Sequence, residues 1–216
     1  MNICVYGAAS QEIDSIFIET VERLGEKIAE RGHGIVYGGG AHGLMGAVAR
    51  GARKANGKVT GVAPAFFKVD GVLFEDCTDF IYTETMRERK QIMEDNSDCF
   101  IVTPGGIGTF EEFFEIVTLK QLRRHEKAIV IYNINGYYDE MDIMMEKAIK
   151  DGFMKEACRS LYKYFDDGDE MLDYLESYVP VKAKPKEYKN VWVAKNKIKR
   201  RNKLWQKHLI LLRFTN

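Results

Sequence analysis

No Cys-x-x-Cys pair occurs in this 216-residue chain, and its four cysteines (Cys4, Cys77, Cys99, Cys158) lie far apart. Cys4 and Cys99 fall in apolar runs that read as buried strands, so reduced thiols in a cytoplasmic protein are expected rather than a disulfide framework. The four histidines are equally dispersed, and no His, Cys or carboxylate cluster has ligand spacing. Neither a structural metal nor a cofactor is therefore expected. No apolar stretch reaches the length that spans a bilayer, and no secretory signal is read. An excess of one charge is missing too, since 32 Lys and Arg balance 32 Asp and Glu.

That balance hides an asymmetry. Residues 181–216 hold twelve Lys/Arg and one acid, Glu187, a net +11, which leaves −11 on the rest. The stretch opens with Lys182, Lys184, Pro185 and Lys186, a composition suited to a flexible linker. A body at 1–180 and a basic C-terminal extension at 181–216 are expected. Two readings of the extension stand. It is a solvated or partly helical tail, or a basic, Trp-bearing amphipathic helix lying on an acidic partner or an anionic membrane. Nucleic acid is disfavoured as a partner, because an acidic body would repel it.

Hydrophobic residues make up 45% of the chain, enough at this length for one substantial core. Strands are expected at 2–6, 34–37, 59–62, 79–82, 98–102 and 128–132. Helices are expected at 13–31, 44–55, 83–94, from the loop at 104–109 to 125, at 138–150, and at 170–178. The helix at 13–31 rests on Ile13, Ile16, Phe17, Val21, Leu24 and Ile28, close to a 3.6 period. Alternating strands and helices imply an α/β fold: a doubly wound parallel sheet with helices on both faces, as a single domain. Ligands of such sheets sit beyond the C-terminal strand ends. Three strands here run into loops of small residues at that edge, at 7–10, 38–46 and 104–109.

The third of these is the most telling. An apolar run ends at Pro104, three glycines follow within four residues (Gly105, Gly106, Gly108), and Thr109 precedes Glu112 at capping-box spacing. Strand, glycine loop and helix N-terminus together leave backbone N–H groups free for an anion, and phosphate suits them. The loop lacks the Gly-Lys-Ser/Thr ending of an NTP-binding loop, so a single phosphate fits better than a triphosphate. Gly38-x-Gly40-x-x-Gly43 matches a dinucleotide fingerprint, but the next strand ends Gly61-Val62-Ala63-Pro64, without the acid that would hold ribose hydroxyls. A mononucleotide gripped by two glycine loops accounts for the same residues.

Three segments together resemble one family. They are Gly38-Gly39-Gly40-Ala41-His42-Gly43-Leu44-Met45-Gly46, Met86-Arg87-Glu88-Arg89-Lys90, and Pro104-Gly105-Gly106-Ile107-Gly108-Thr109-Phe110-Glu111-Glu112. Their linked pattern is similar to that of the cytokinin riboside 5′-monophosphate phosphoribohydrolases, the "Lonely guy" group long labelled lysine decarboxylases, over about residues 1–178. The resemblance implies a modified Rossmann fold and homodimers or larger assemblies. It also implies hydrolysis of a purine nucleoside monophosphate to free base and ribose 5-phosphate. Position by position, it implies that Arg89 and Glu112 are the active-site pair. Lys90, Gly106, Ile107, Gly108, Thr109, Phe110, Glu111 and Thr118 fall on substrate-binding positions. Gly39, Gly40, Gly43, Gly105 and Met86, from the same segments, are expected to join them. Two departures stand out: Gly7-Ala8-Ala9 where members often carry Gly-Ser-Ser, and Arg87 where histidine is common.

The implied chemistry is physically coherent. Breaking a glycosidic bond builds positive charge on the ribose ring, which a nearby carboxylate stabilises more in the transition state than in the ground state. Plainer readings of the same residues stand beside it. Glu112 could simply close a capping box with Thr109, Glu84, Glu111 and Glu115 are competing acids, and Arg87, Arg89 and Lys90 could be an exposed charged face. A nucleotide-binding or carrier module of the same fold is the alternative function. The decarboxylase label finds no lysine in a recognisable cofactor-binding context.

Overall fold

A computed structural model describes residues 1–180 and Tyr188. Seven strands form one sheet in the order β4-β3-β2-β1-β5-β6-β7, and every neighbouring pair is parallel. They are β1 (Asn2–Tyr6), β2 (Gly34–Tyr37), β3 (Val59–Pro64), β4 (Asp79–Thr83), β5 (Cys99–Val102), β6 (Ala128–Tyr132) and β7 (Lys163–Phe165). Six α-helices accompany them, the first five between strands and the last after β7: α1 (Ser15–Glu30), α2 (Gly43–Lys54), α3 (Met86–Asp95), α4 (Ile107–Gln121), α5 (Asp139–Lys150) and α6 (Gly168–Ser177). None of these helices is long and apolar enough to cross a membrane.

Strand alternation splits the core into two layers. Ile3, Val5, Cys99, Ile101, Ala128 and Val130 face α1, α2 and α6, while Cys4, Tyr6, Phe100, Val102, Ile129 and Ile131 face α3, α4 and α5. Both faces of the inner strands are therefore apolar, which is why they read as continuous hydrophobic runs. Close helix packing needs glycine in places. A Cβ on Gly51 would sit 1.8 Å from the Glu22 carbonyl oxygen, and one on Gly25 2.2 Å from that of Val48, where α1 crosses α2.

The expected doubly wound sheet is present, and the strand order reverses at β1, between β2 and β5. Four elements were not foreseen: the edge strand β7 and short 3₁₀ turns at Ala65–Phe67, Ile134–Gly136 and Glu156–Leu161. A strand of three residues is too short to display a period. The capping box expected at Thr109 and Glu112 does not form. Gly106 is the N-cap, Phe110 N–H bonds its carbonyl at 3.0 Å, and Thr109 already lies in the first turn with its side chain against Gly105. A reciprocal cap does exist on α3, where Thr85 accepts from Glu88 N–H at 3.1 Å and the Glu88 carboxylate accepts from Glu84 N–H at 2.9 Å.

The basic extension lies outside the described residues apart from Tyr188. That residue is buried, and its carbonyl accepts hydrogen bonds from Gln121 Nε2 at 3.0 Å and Cys158 Sγ at 3.3 Å.

Candidate functional site

The three small-residue loops meet at the C-terminal edge of the sheet, with Ala8 joining them. Its N–H donates to the Pro104 carbonyl at 3.1 Å, and its own carbonyl accepts from Leu44 N–H at 2.8 Å and Met45 N–H at 3.2 Å. Ala8 thus occupies the N-terminus of α2 with backbone from the same chain. The two glycine loops consequently differ. At α2 the donors are partly used internally; at α4, Cβ atoms on Gly106 or Gly108 would meet nothing within 4 Å, and both residues are exposed.

Each glycine of the first loop has its own spatial reason. A Cβ on Gly38 would lie 2.2 Å from Arg89 Nη2, so this glycine makes room for the guanidinium. Gly39 has φ +77° and lies under the Phe80 ring. Gly43, at φ +58°, packs against the Ala8 and Ser10 carbonyls, each 2.6 Å from where its Cβ would be. Gly40 forms a bridge with Leu73 and is the roomiest of the four. Only glycine tolerates the approach and the left-handed backbone at Gly39 and Gly43.

Arg89 is buried on α3 beneath this loop. Its Nε donates to the Val62 carbonyl at 3.1 Å and its Nη1 to Glu112 Oε1 at 2.9 Å. Both side chains of the pair retain 11% of their exposure, so the ion pair sits at the floor of the edge rather than on a helix face. Burial raises the Glu112 carboxyl above the ordinary glutamate value, and the Arg89 charge pulls it only part of the way back. Beneath them, Cys4 is held as a neutral thiol, pushed by burial up to about 12. Arg87 is exposed. Of the charged trio, only Arg89 leaves the solvated face entirely.

Lys90 is partly buried in ion pairs with Glu111 and with Glu115, the latter at 2.7 Å. Burial alone would lower its pKa, but the two carboxylates more than offset this and raise it. Glu111 and Glu115 are thereby committed to Lys90, and Glu84 is exposed, which leaves Glu112 as the acid directed at Arg89. Ile107 is 87% exposed at the start of α4, Phe110 packs edge-on to Tyr138 at 6.2 Å, and Met86 is exposed at the start of α3. Thr118 is exposed too, but stands six residues beyond Glu112, about 9 Å along the helix. It is not brought together with the rest in this chain.

Two residues at the site had no role in the sequence reading. Tyr137 Oη donates to the Gly105 carbonyl at 2.8 Å and Tyr138 Oη to the Thr103 carbonyl at 2.8 Å. A Gly-Tyr-Tyr step before a helix was the only signal, and nothing in it points to a loop some thirty residues away. Beside Tyr137 lies a cavity of about 130 Å³, lined by Ala8, Phe17, Leu44, Pro104, Gly105 and Gly106 among others. Larger clefts exist, one of about 540 Å³ around His33, Asn56 and Asp98, but that one lies at the opposite sheet edge, away from the glycine loops. Among the described residues no group of three or more His, Cys, Asp or Glu could hold a metal ion.

Comparison with known proteins adds three findings. A family model described as "Possible lysine decarboxylase" matches residues 45–175. A cytokinin riboside 5′-monophosphate phosphoribohydrolase of Arabidopsis thaliana is 34% identical over 179 residues, covering 83% of this chain and 78% of that protein. A second from the same plant is 33% identical over 178 residues, with 82% and 84% covered. Among solved structures, the molybdenum cofactor binding protein of Rippkaea orientalis matches with a TM-score of 0.63 at 20% identity, over 82% of this chain and 95% of that one. The Moco carrier protein of Chlamydomonas reinhardtii gives 0.61 at 19%, over 81% and 94%. At those identities the two structures speak for a shared fold alone. The sequence relatives reach further: with a third of residues identical over most of its length, the chain belongs to the family of cytokinin riboside 5′-monophosphate phosphoribohydrolases, to which the decarboxylase label is also attached.

Proposed function

We propose that this protein hydrolyses the N-glycosidic bond of an adenine-type nucleoside 5′-monophosphate, a cytokinin riboside monophosphate or AMP, releasing free base and ribose 5-phosphate. The observation that carries this is the buried Arg89–Glu112 pair, 2.9 Å apart, beside a glycine loop open at α4. The 5′-phosphate binds the N–H groups of Gly106, Ile107 and Gly108 at the positive end of α4. Glu112 lies five residues beyond Ile107, about 7.5 Å of helix rise, comparable with the reach from a 5′-phosphate to the anomeric carbon. As the bond from that carbon to the base nitrogen lengthens, its electron pair leaves with the base and positive charge grows on the ribose. The Glu112 carboxylate stabilises that charge and accepts a proton from the water whose oxygen bonds to the anomeric carbon, while the departing base nitrogen takes up a proton from solvent. Arg89 opposes the effect of burial on the Glu112 carboxyl and supplies a permanent cation for charge on the departing base.

Relatives named as phosphoribohydrolases support the reading. A carrier of the same fold gains nothing from a carboxylate whose burial penalises its charge, and so accounts less well for Glu112. Gly39, Gly40, Gly43 and Met86 border the nucleotide, while Lys90 and Glu111 brace its rim. The protein self-associates, is cytoplasmic, and divides into a catalytic body and a basic extension.

The test is to incubate the pure protein with AMP, with isopentenyladenosine monophosphate and with adenosine, and to assay free base. Both monophosphates should be cleaved and adenosine far more slowly. Equal rates on nucleotide and nucleoside would sink the phosphate anchor, and no base from any of them would sink the activity.

A further inference from the structure

The loop at 103–106 has an unusual property: three consecutive carbonyls accept hydrogen bonds from outside it. Thr103 O accepts from Tyr138 Oη at 2.8 Å, Pro104 O from Ala8 N–H at 3.1 Å, and Gly105 O from Tyr137 Oη at 2.8 Å. In a trans peptide the carbonyl and the following N–H point in opposite directions. A bond that holds one therefore aims the other.

The consequence differs along the loop. The unit held by Tyr138 joins Thr103 to Pro104, which has no N–H to aim. The unit held by Tyr137 joins Gly105 to Gly106, whose N–H has no acceptor among the described residues and whose Cβ position is open for 4 Å. Glycines flank that unit on both sides, so without a restraint it can rotate at little steric cost. A rotated unit would turn the Gly105 carbonyl, a partial negative charge, toward the phosphate. Phe17 packs edge-on to the Tyr137 ring at 6.2 Å, and Tyr138 does so at 5.0 Å, which fixes the hydroxyl in place.

We propose that Tyr137 is a positioning residue for the reaction: its hydroxyl locks the Gly105–Gly106 peptide with the N–H toward the substrate's phosphate. Tyr138, one residue on, supports the fold and does not set phosphate affinity. The inference rests on the phosphate site of the proposed function, and extends it to a residue outside the Arg89–Glu112 pair.

The experiment uses the full chain and ribose 5-phosphate as probe, with binding measured by calorimetry. Tyr137→Phe keeps the ring and its packing but loses the donor. It should weaken ribose 5-phosphate about tenfold, near the loss of one hydrogen bond, and raise KM for AMP alike while kcat stays within about twofold. Tyr138→Phe should lower Tm and leave ribose 5-phosphate affinity unchanged. Unaltered affinity in Tyr137→Phe, or an equal loss in both variants, overturns the inference. A wild-type protein that binds ribose 5-phosphate but cleaves no nucleotide overturns the hydrolase reading and leaves this one standing. Failure of the wild type to bind ribose 5-phosphate overturns the phosphate anchor and this inference with it, whether or not base is released.

Discussion

Arg89 Nη1 lies 2.9 Å from Glu112 Oε1, and the same guanidinium is anchored by Nε on the Val62 carbonyl at 3.1 Å. One arginine therefore ties the end of β3 to the first turns of α4, across the strand order reversal where doubly wound folds bind ligands. The pair is buried, yet not matched well enough to hold Glu112 at the ordinary carboxylate value. That imbalance is expected of a group kept for chemistry rather than stability.

The first prediction concerns Glu112 and pH. With its folded pKa raised, the native chain holds this proton more tightly than the unfolded chain does. Its contribution to stability therefore falls as pH rises from the ordinary value toward the raised one, and the ionised group costs stability at neutral pH. Glu112→Gln, which still accepts a hydrogen bond from Arg89, should show an equal or higher Tm at pH 7. Base release should fall by about 10²–10³. In the wild type, kcat/KM should decline on the acid side with a midpoint above the 4.5 of an ordinary glutamate. A variant that keeps most of its turnover would place the catalytic acid elsewhere.

Gly38→Ala provides a test that leaves both charged residues in place. The added methyl would sit 2.2 Å from Arg89 Nη2, and the guanidinium must shift, which disturbs the bond its Nη1 makes to Glu112. The displaced group belongs to a buried ion pair, so Tm should fall. Turnover should drop by about 10², as for a catalytic group misplaced by about 1 Å. Wild-type rates in Gly38→Ala would show that the exact seat of Arg89 does not matter.

Self-association is expected from the outer faces of α4 and α5. Phe114 on α4 and Leu122 at its C-cap are each 42% exposed, and Ile143 and Met144 on α5 each 65% exposed. Apolar side chains in such numbers on neighbouring helices mark an interface more often than a solvated face. Light scattering at micromolar concentration should give at least the mass of a dimer. Ile143→Glu combined with Met144→Glu should shift it toward monomer; a monomeric wild type would contradict the reading.

Removing everything after Pro180 should separate catalysis from stability. The truncated chain loses the basic extension and also Tyr188, buried against the core with its carbonyl bonded by Gln121 and Cys158. Stability should fall by about 2 kcal/mol, the scale for one buried aromatic side chain. Hydrolysis by the folded body should persist. A chain ending at Asn190 should recover most of the lost Tm, and loss of activity from a still-folded body would show that the extension completes the site.

The sequence by itself determined the alternation of strands and helices, because burial on both sheet faces writes itself locally as apolar runs such as 99–102 and 128–131. It also placed the three small-residue loops at one sheet edge, since parallel strands all end on the same side. It could not decide where α4 begins: Gly106 and Thr109 can both cap a helix, and packing of the Thr109 side chain against Gly105 selected the earlier start. Residue patterning alone did not choose among Glu84, Glu111, Glu112 and Glu115; only the family resemblance pointed to Glu112. Tertiary structure alone brought α3 against α4, sending Glu111 and Glu115 to Lys90 and Glu112 to Arg89. The hydroxyl of Tyr137 on Gly105, and Tyr188 on Gln121, join residues 32 and 67 positions apart. Contacts at such separations leave no periodic trace in the chain, because they depend on how whole elements pack.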